Sequence, residues 1–590
     1  MEVLNKTDRE YLAQFIPEDS GDWKKSWEEG YEIGTKLERM ETPFHRKYGV
    51  KNDADLCLRY AAEGKIIWKT NMGLATYEDQ VNCLKELEKW SQESGFDIPF
   101  SHQLPKNITG VPMDRREGIP TGAGFDLNTL EDYIGLTTAS TIGLKFEDNH
   151  IGWPNAVQGT INSLKAGTST CGLISTWHQV APGCPDEVWN MNQIIKALGI
   201  VAAKYDEKVI VNDNMDDSLP VYCTDLVSYL AWAKMVHYIT TDLCKCRYQF
   251  SVGNLTVNHI HKAAIWLAAH ESFKMDDAPC IGFIYPDTVS PLDHDLHANY
   301  GFLVPEALMC ALVEKKYKTG GTVLVTPITE KVAIPTIKNM KDIQAACQNT
   351  EKSAEFFYDI IDWSPVEKLR DEIMEYSEIM YHNIMQGFEE AGIDITDPVQ
   401  MMVVTKKMNP TKFEEFFHPS VVQEGKARVV PKLPAALWLE TEKQADIIYN
   451  NVKDEPFASK IAGRRVCTAS GDMHYFGYYA VSRVLERLGA EVIEGGTSLE
   501  AIDVLDLADE YSCTDICVSL HNGQALDYAK LLKKISEERG KKYNFFLGGV
   551  LTSQVDENST IPMDVTPQLQ EIGMITSTTI ENLIEKVANI

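Results

Sequence analysis

Short apolar runs alternate with amphipathic stretches over the last part of the chain, from about residue 463 to residue 590. The runs have the length of buried strands, and the stretches between them carry apolar residues at helical spacing. The predicted strands are 466–469, 491–494, 514–520, 544–547 and 574–579. Strands that alternate with helices form a parallel, doubly wound sheet, and such sheets bind ligands beyond the carboxyl ends of their strands. The pattern therefore predicts both a fold and the edge of the sheet that carries function.

The loop after the first of these strands contains the pattern Asp-x-His-x-x-Gly, formed by Asp472, His474 and Gly477. A carboxylate two residues before a histidine orients the imidazole ring by accepting a proton from one nitrogen, so the other nitrogen is free to bind a metal. Gly477 allows the backbone to approach a bulky group closely where the next helix starts. Taken alone, the same residues are compatible with a strand-to-helix loop that carries a surface histidine.

Two further elements end strands of the same predicted sheet. Ser519 and Leu520 end the third strand, and the pair Gly548-Gly549 follows the fourth. Because the carboxyl ends of parallel strands meet at one edge, these residues and the Asp-x-His-x-x-Gly loop predict a single binding site.

This segment resembles the cobalamin-binding domain of coenzyme B12-dependent mutases and methionine synthase, in which Asp-x-His-x-x-Gly is followed by Ser-x-Leu and then by a Gly-Gly pair. The resemblance implies a flavodoxin-like (Rossmann-type) domain at residues 461–590. It implies that His474 is the lower ligand of cobalt and that Asp472 is the partner of its ring. The cofactor-binding residues that it implies are Asp472, His474, Gly477, Ser519, Leu520, Gly548 and Gly549. The chain departs from the family at Val518, which stands at the expected serine; alternatively, Ser519 takes that role one position along.

Charge and composition exclude several classes of partner. The net charge of −30 and the pI of about 4.9 argue against binding to nucleic acid, which is itself an anion. The chain has no run of 18 or more apolar residues, so we expect no membrane span. Residues 1–18 are charged and contain no apolar signal region, so we expect a cytoplasmic protein.

The region from residue 61 to residue 395 also alternates between strands and helices. Its predicted strands are 66–68, 172–177, 209–212, 248–252, 281–285 and 322–326. Their spacing suits a TIM-like (β/α)8 barrel that serves as the substrate domain, and an open α/β sheet is the alternative. Residues 1–60 form a predicted helical extension, and residues 396–460 a predicted linker to the C-terminal domain.

Polar residues follow these predicted strands, and in a barrel the strand ends on this face hold the active site. The candidates for catalysis are His178, Asp213 and Tyr285, and the candidates for substrate contact include Gln179 and Asn254. Further polar strand ends lie at 212–214 and 326–330. Each of these residues is also of a type that caps a turn or helix.

Arginine is scarce in the barrel region, where Arg115, Arg116 and Arg247 are the only ones between Arg59 and Arg370. The planar guanidinium is the best partner for a carboxylate, so the three are predicted to bind a carboxylate substrate. Ion pairs with nearby acidic residues on the surface are the alternative.

A barrel placed ahead of a cobalamin domain resembles the adenosylcobalamin-dependent carbon-skeleton mutases. The resemblance implies a radical isomerisation in which a group migrates to a neighbouring carbon. The chain length, acidity and order of domains are most similar to the 2-methyleneglutarate mutases of anaerobic nicotinate degradation. Those enzymes convert one small dicarboxylate, 2-methyleneglutarate, into another, 3-methylitaconate. The implied cofactor is adenosylcobalamin, and the expected partners are a small dicarboxylate and further copies of the chain in a homo-oligomer.

Other functions stay open at this point. Glutamate mutase-like and acyl-CoA mutase-like isomerases share the cofactor and the general layout. A corrinoid methyltransferase or methyl carrier would bind methylcobalamin, and a cobalamin-binding regulator would lack catalysis. A pyridoxal-phosphate aminomutase is a further option, although no lysine stands out by its context as a Schiff-base residue.

Overall fold

The computed structural model describes two compact units. The described residues are 2–119, 124–148, 150–253, 256–285, 296–330, 334–420, 429–471, 475–497, 499–521, 523–553 and 563–590. The first unit extends to Ala436, and the second runs from Leu437 to Ile590. A parallel sheet organises each unit.

The sheet of the first unit contains eight strands within the described residues. They are β1 Ile67–Met72, β2 Phe100–Gln103, β3 Gly143–Lys145, β4 Thr170–Cys171, β5 Ile210–Asn214, β6 Arg247–Val252, β7 Ile281–Ile284 and β8 Thr322–Val325. Neighbouring strands are parallel and follow the order β3-β2-β1-β8-β7-β6-β5-β4. An isolated parallel bridge from Phe146 to Cys171 then joins the two ends of this order. The sheet is therefore nearly a closed barrel, which favours the predicted barrel over the open sheet.

Helices surround the barrel strands. The helices before β1 are α1 Lys6–Ala13, α2 Trp23–Lys36, α3 Pro43–Tyr48 and α4 Asp53–Glu63. The helices that follow β1 to β8 in turn are α5 Tyr77–Ser94, α6 Leu130–Thr138, α7 Ala156–Lys165, α8 Glu187–Ala202, α9 Leu226–His237, α10 His259–Phe273, α11 Leu296–Tyr317 and α12 Ile337–Phe357. The unit ends with α13 Ser364–Glu390, α14 Pro398–Lys407 and α15 Pro410–Phe417.

Shorter helical turns connect these elements. A π-helix, Tyr238–Leu243, continues α9. The 3-10 helices are Asn107–Gly110, Met113–Arg115, Ile174–His178, Tyr205–Glu207, Met215–Asp217, Leu219–Tyr222, Tyr358–Ile360 and Ala458–Lys460.

Helix α5 shows how local sequence sets these boundaries. The side chain of Thr76 accepts a hydrogen bond from the backbone N–H of Asp79 at 3.1 Å and so caps the first turn. Gly95 ends the helix in the left-handed conformation, with φ +79°. Between these caps, Leu84 and Leu87 are fully buried. The capped, amphipathic segment therefore packs one face on the barrel.

The predicted strand 172–177 is wrong. Strand β4 ends at Cys171, and the 3-10 helix Ile174–His178 follows it. Strands β2 and β3 were not predicted, because β3 has only three residues and β2 reads Phe-Ser-His-Gln. The residues of β2 are buried, so its polar character reflects a polar barrel interior.

The stretch predicted to be a linker is largely helical. Helices α14 and α15 belong to the first unit, where Phe413 packs edge-on against Trp232 with ring centroids 5.5 Å apart. The buried carboxylate of Glu414 accepts hydrogen bonds from the backbone N–H of Thr224 at 2.9 Å and from Ser228 Oγ at 2.6 Å. These contacts make residues 398–417 part of the packed first unit.

The second unit contains a five-stranded parallel sheet and a short antiparallel pair. The strands are β9 Arg465–Ser470, β10 Glu491–Gly496, β11 Asp515–Leu520, β12 Asn544–Gly549, the pair β13 Thr552–Ser553 and β14 Met563–Asp564, and β15 Ile575–Thr576. The helices are α16 Ala436–Val452, α17 Tyr475–Arg487, α18 Ala501–Glu510, α19 Ala525–Arg539, α20 Thr566–Glu571 and α21 Ile580–Ala588. The parallel strands follow the order β10-β9-β11-β12-β15. This is the flavodoxin-like order, whose topological switch point lies between β9 and β11.

Alternate residues of the central strand β11 face opposite sides of this sheet. Val518 and Leu520 belong to a buried cluster with residues of α18 and α19. Cys517 belongs to a second buried cluster with residues of α17 and α21. Burial of both faces explains why the strand reads as a continuous apolar run.

Helix α11, Leu296–Tyr317, is long and apolar enough to cross a membrane by length and composition alone, and 44% of its most apolar window is buried inside the protein. It packs against α12 and α10. Its Glu306 accepts a hydrogen bond from Lys262 on α10 at 2.7 Å. These contacts place the helix in the outer layer of the barrel.

The N-terminal helix α2 packs directly on the backbone of α8. A Cβ atom added at Gly30 of α2 would lie 1.8 Å from the carbonyl oxygen of Lys196 on α8. A Cβ added at Gly199 of α8 would lie 2.1 Å from the carbonyl oxygen of Trp27 on α2. The two helices approach this closely because both contact positions are glycine.

We expect Gly199→Ala to lower the free energy of unfolding by about 3 kcal/mol, because the added methyl group forces two packed backbones apart. Urea or thermal unfolding measures the loss. Gly301→Ala in α11 is the matched control, since an added Cβ there meets no atom within 4 Å. The control should be stabilised by up to about 1 kcal/mol, as expected for alanine in place of glycine in a helix. Equal stability of the two variants would contradict the glycine contact.

Candidate functional site

The carboxyl ends of β1, β2 and β3 bring four charged side chains together. Lys69 on β1 donates a hydrogen bond to the carboxylate of Glu147, which follows β3. His102 on β2 places Nδ1 2.5 Å from Glu147 Oε2 and Nε2 3.2 Å from Asp148 Oδ2. Lys69 and Glu147 have no exposed side-chain area, and His102 is 4% exposed at its side chain. The four groups form one chain of ion pairs, in which the first three side chains are buried and that of Asp148 is 23% exposed.

The pKa values of Lys69, His102 and Glu147 depend on burial and on the charges of their neighbours. Burial disfavours the charged imidazole, but the carboxylates of Asp148 and Glu147 outweigh burial and raise the pKa of His102 to about 9. Burial lowers the pKa of Lys69 to about 8, although Glu147 opposes this effect. Burial also opposes ionisation of Glu147, yet Lys69 and His102 hold the pKa of that carboxyl well below its usual range. All three groups are therefore charged at pH 7.

The ends of β1, β5, β7 and β8 add further polar groups to the same rim of the barrel. Asn71 on β1 donates from Nδ2 to Glu330 Oε1, which follows β8, at 3.1 Å. Asn214, the last residue of β5, donates to Asp217 Oδ2 at 2.5 Å and to the hydroxyl of Tyr285 at 3.3 Å. These residues, together with Lys69, His102, Glu147 and Asp148, are called the carboxyl rim below.

Two carboxyl groups of the carboxyl rim bind protons unusually tightly. Burial raises the pKa of Glu330 to about 7, with the charge of His102 opposing and that of Asp148 adding to the shift. Burial also raises the pKa of Asp217, and the charges of Asp148 and Asp216 add to that shift. Carboxyl groups that titrate near neutral pH are suited to accept or donate a proton. The carboxyl rim thus combines fixed charges with groups able to transfer protons.

The predicted catalytic residues have different positions. Tyr285 belongs to the carboxyl rim through Asn214. Asp213 lies one residue before Asn214, where it accepts hydrogen bonds from Ser175 Oγ and, at 2.9 Å, from Tyr248 OH, and burial raises its pKa to about 6. His178 packs instead against the rings of Tyr222 and Trp232.

The predicted substrate contacts are likewise divided. Gln179 approaches the carboxyl rim, because its Nε2 donates to the backbone oxygen of Asp217 at 2.8 Å. Asn254 lies outside the described residues. Burial lowers the pKa of His178 to about 3, so its imidazole is neutral at pH 7.

The structure does not bring the three predicted arginines together. Arg115 stacks on Trp189, with its guanidinium carbon 4.0 Å from the ring centroid. Arg116 donates to the backbone oxygen of Val111 at 2.8 Å and to Asn128 Oδ1 at 2.5 Å.

Arg247 lies at the opposite end of the barrel. It is the first residue of β6, and it donates to both carboxylate oxygens of Asp277, at 2.5 and 2.9 Å. Arg247 therefore does not reach the carboxyl rim, because the amino end of a strand is on the other side of the barrel. Substrate binding by Arg115 and Arg116 stays a prediction.

Sequence reasoning found part of the carboxyl rim and missed part of it. Asn214, Tyr285 and Glu330 follow predicted strands and were among the strand-end residues. His102, Glu147 and Asp148 were missed because β2 and β3 were not predicted. The available signal was the charged pair Glu147-Asp148 directly after the short apolar sequence that contains β3.

A row of small residues crosses the second sheet at its carboxyl edge. Ser519 on β11 lies beside Ser470 on β9 and beside Gly548 on β12 in the strand register. Ser577, which follows β15, continues the row and donates its N–H to the carbonyl oxygen of Leu547 at 2.9 Å. The row faces α17 and α21, because it alternates with residues that pack on α18 and α19.

Helix α17 begins directly above this row. A Cβ added at Gly477 would lie 2.9 Å from Ser519 Oγ, so glycine is required for the first turn of α17 to come this close. The hydroxyl of Ser519 therefore lies on the face of the sheet that α17 covers. The side chain of Val518 is buried on the opposite face. This observation favours the alternative in which Ser519 takes the serine role of the Ser-x-Leu motif.

Of the other predicted cofactor residues, the described ones lie at the same edge of the sheet. Gly549 has φ +98°, which favours glycine, and a Cβ there would lie 2.3 Å from the carbonyl oxygen of Leu520. A Cβ at Gly548 would make only an ordinary van der Waals contact, 3.6 Å from Leu583 Cδ1, so a small side chain would fit there. Asp472 and His474 lie outside the described residues.

These residues fit the tail of a large cofactor better than they fit a free metal ion. Small side chains and glycines line the edge beside the topological switch point, where doubly wound sheets bind extended ligands. Within the described part of the chain, no group of three or more His, Cys, Asp or Glu side chains is arranged to hold a metal ion.

Comparisons with known proteins add little to this geometry. No family model matches the chain, and no curated protein matches it. Among solved structures, the chain is similar to a cobalamin-binding protein from Desulfitobacterium hafniense DCB-2, with 15% identity over 40% of this chain and 96% of that chain and a TM-score of 0.20. A likeness at this score decides neither the fold nor the ligand.

The raised pKa of Glu330 predicts a pH-dependent stability. The usual pKa of 4.5 rises to about 7 on folding, so the folded state holds an extra proton between these values. The contribution of Glu330 to stability is therefore present at low pH and is lost as the pH rises through about 7. Relative to Glu330→Gln, which does not titrate, the wild type should lose up to about 1.4 kcal/mol of stability per pH unit within this window.

Urea unfolding of both proteins at several pH values from about 5 to about 8 measures this difference. Glu355→Gln makes the same substitution on an exposed face of α12 and is the control. A constant difference between wild type and Glu330→Gln over this range would show that the carboxyl group titrates normally.

Proposed function

We propose that the chain is an adenosylcobalamin-dependent isomerase, in which the second unit binds the cofactor and the carboxyl rim of the barrel binds a small acid substrate. One observation supports cofactor binding by the second unit: the sequence motif and the flavodoxin-like strand order occur in the same segment of the chain. In the sequence, the Asp472-x-His474-x-x-Gly477 motif falls between the end of β9 and the first turn of α17, and β9 borders the switch point of the flavodoxin-like sheet. Two residues of the row of small residues at this edge, Ser519 and Gly548, are among those that the motif predicts for cofactor contact.

The residues of the second unit have separable roles in this proposal. The imidazole of His474 would bind cobalt, and Asp472 would orient that imidazole. Gly477, Ser519 and Gly548 would admit the nucleotide tail along the row of small residues. When bound, adenosylcobalamin supplies a carbon-centred radical that removes a hydrogen atom from the substrate.

The barrel supports the second half of the proposal. Buried ion pairs hold the side chains of the carboxyl rim in fixed positions, which is what a site must do to orient a substrate for rearrangement. Glu330 and Asp217 are placed to hold or release protons on substrate groups near neutral pH. A carrier of methyl groups or a regulator would have no use for such a preorganised polar rim.

The most specific form of the proposal is the conversion of 2-methyleneglutarate to 3-methylitaconate, as the resemblance implies. A glutamate mutase-like reaction on an amino acid is the second candidate. The specific observation in its favour is that Arg116 and Arg247 are bound by protein groups, and so offer no guanidinium pair to a dicarboxylate.

Cobalamin binding tests the proposal at its first step. The purified chain should bind adenosylcobalamin, and reduction to the cobalt(II) form should give an EPR spectrum with coupling to one axial nitrogen. In protein labelled with ¹⁵N-histidine this coupling should come from ¹⁵N, and His474→Ala should lose the labelled coupling, because any nitrogen that then binds cobalt is the cofactor's own unlabelled benzimidazole. His382→Ala replaces a histidine that is 71% exposed on α13, and it should leave the spectrum unchanged.

Turnover is tested with the same protein. Incubation with adenosylcobalamin and candidate acids, followed by NMR of the products, should show a rearranged carbon skeleton. Axial coupling to ¹⁵N of the labelled protein that survives in His474→Ala would disprove the ligand assignment. A chain that binds methylcobalamin and transfers its methyl group, without rearranging any acid, would be a methyl carrier.

A further inference from the structure

The carboxyl rim holds more acidic than basic side chains. Its described carboxyl groups, including the neighbouring Asp216, are Glu147, Asp148, Asp216, Asp217 and Glu330. The described cations that contact them are Lys69 and His102, and the charge of the buried Lys145 on β3 also acts on Glu147. Lys69 and His102 both already contact the carboxylate of Glu147. Lys262 also donates to the backbone oxygen of Tyr285, but its ammonium is paired with Glu306 at 2.7 Å. A ligand with two carboxylates would therefore find both contacting cations of the carboxyl rim already paired with a carboxylate.

Two buried oxygen atoms of the carboxyl rim have no hydrogen-bond donor within the described structure. They are Oε1 of Glu147, whose side chain is fully buried, and Oδ1 of Asn71, whose residue is 8% exposed. Asn71 points into the acidic cluster, since its Nδ2 donates to Glu330. Both orphan atoms are acceptors, and buried acceptors in native proteins are nearly always paired. A ligand group that pairs with these two atoms therefore supplies hydrogen-bond donors.

The raised pKa values of two carboxyl groups in the carboxyl rim also favour a ligand with a positive charge. The pKa values of Glu330 and Asp217 are raised because burial, together with neighbouring carboxylates, outweighs the opposing charge of His102. A cation bound beside them would favour their ionised forms. An ammonium group supplies this charge together with three donors and no acceptor.

We infer that the substrate of the barrel carries a primary ammonium group, which binds at Glu330 and Asn71 within the negative field of Asp148 and Asp217. The inference rests on the proposed function only for the type of reaction that the barrel catalyses. It favours an acid that carries an amino group, over 2-methyleneglutarate, as the substrate. Binding itself needs neither the cofactor nor turnover.

Calorimetric titration of the full chain, without cobalamin, tests the inference with matched probes. L-glutamate and glutarate share a carbon skeleton and differ in the ammonium group, as do L-leucine and 4-methylpentanoate. The diamine 1,4-diaminobutane tests the ammonium without a carboxylate. At least one ammonium-bearing probe should bind, and where its partner acid binds at all, the ammonium should improve Kd by about tenfold or more, as expected for a charge-assisted hydrogen bond.

Substitutions then locate the ammonium. Glu330→Gln keeps the size of the side chain and removes its charge, so the preference for the ammonium should fall to less than about threefold. Asp148→Asn should weaken the same preference and serves as the second variant if Glu330→Gln does not fold. Glu355→Gln, on the exposed face of α12, should bind all probes as the wild type does.

The outcomes separate this inference from the proposed function. Equal or tighter binding of the acids that lack the ammonium, or no binding by any ammonium-bearing probe, overturns the inference even if cobalamin binds. An ammonium preference that persists unchanged in both Glu330→Gln and Asp148→Asn also overturns it. A preference lost in those variants, in a chain that does not bind cobalamin, supports the inference and removes the proposed cofactor instead.

Discussion

The strands of both main sheets run parallel, and the rest of the structure depends on this constraint. A parallel strand cannot be followed by a tight turn to its neighbour, so a helix must return the chain to the starting edge. Every loop that leaves a strand then begins at one edge of the sheet, and every loop that enters a strand lies at the other. This separation explains why His102, Glu147 and Glu330, far apart in sequence, share one rim. It also explains why Arg247, at the start of β6, cannot join them.

The chain of ion pairs from Lys69 through Glu147 and His102 to Asp148 is a costly use of a barrel interior. Moving ions out of water costs several kcal/mol for each ion, and the ion pairs recover this cost only with good geometry. Apolar side chains of similar volume would fill the same space without that cost. We therefore interpret this chain of ion pairs as functional. It fixes His102 and Asp148 at the carboxyl rim, beside Glu330 and Asp217, whose carboxyl groups hold their protons to near-neutral pH.

Prediction from sequence succeeded where burial produces a simple pattern. Strand β11 reads as an apolar run because both its faces are covered, and the strand-end residues Ser519 and Leu520 followed directly from that assignment. Prediction failed where the interior is polar. Strand β2 contains His102 and Gln103, which periodicity assigns to a surface, although both are buried. Gly199 shows a third limit, since its role depends on the backbone of α2, more than 160 residues away in the sequence.

The scarcity of arginine in the barrel region leads to a conclusion opposite to the one that the sequence suggests. If scarce arginines were reserved for a carboxylate substrate, they would face the rim without protein partners. Arg116 and Arg247 instead bind backbone oxygens and side chains of the protein, and Arg115 stacks on a tryptophan. Because none of these arginines pairs with its carboxyl groups, the carboxyl rim has few cations and several carboxyl groups. Two of these groups keep their protons to near-neutral pH. A site built in this way is complementary to a positive charge, and the same sequence feature that predicted a dicarboxylate therefore indicates an amine.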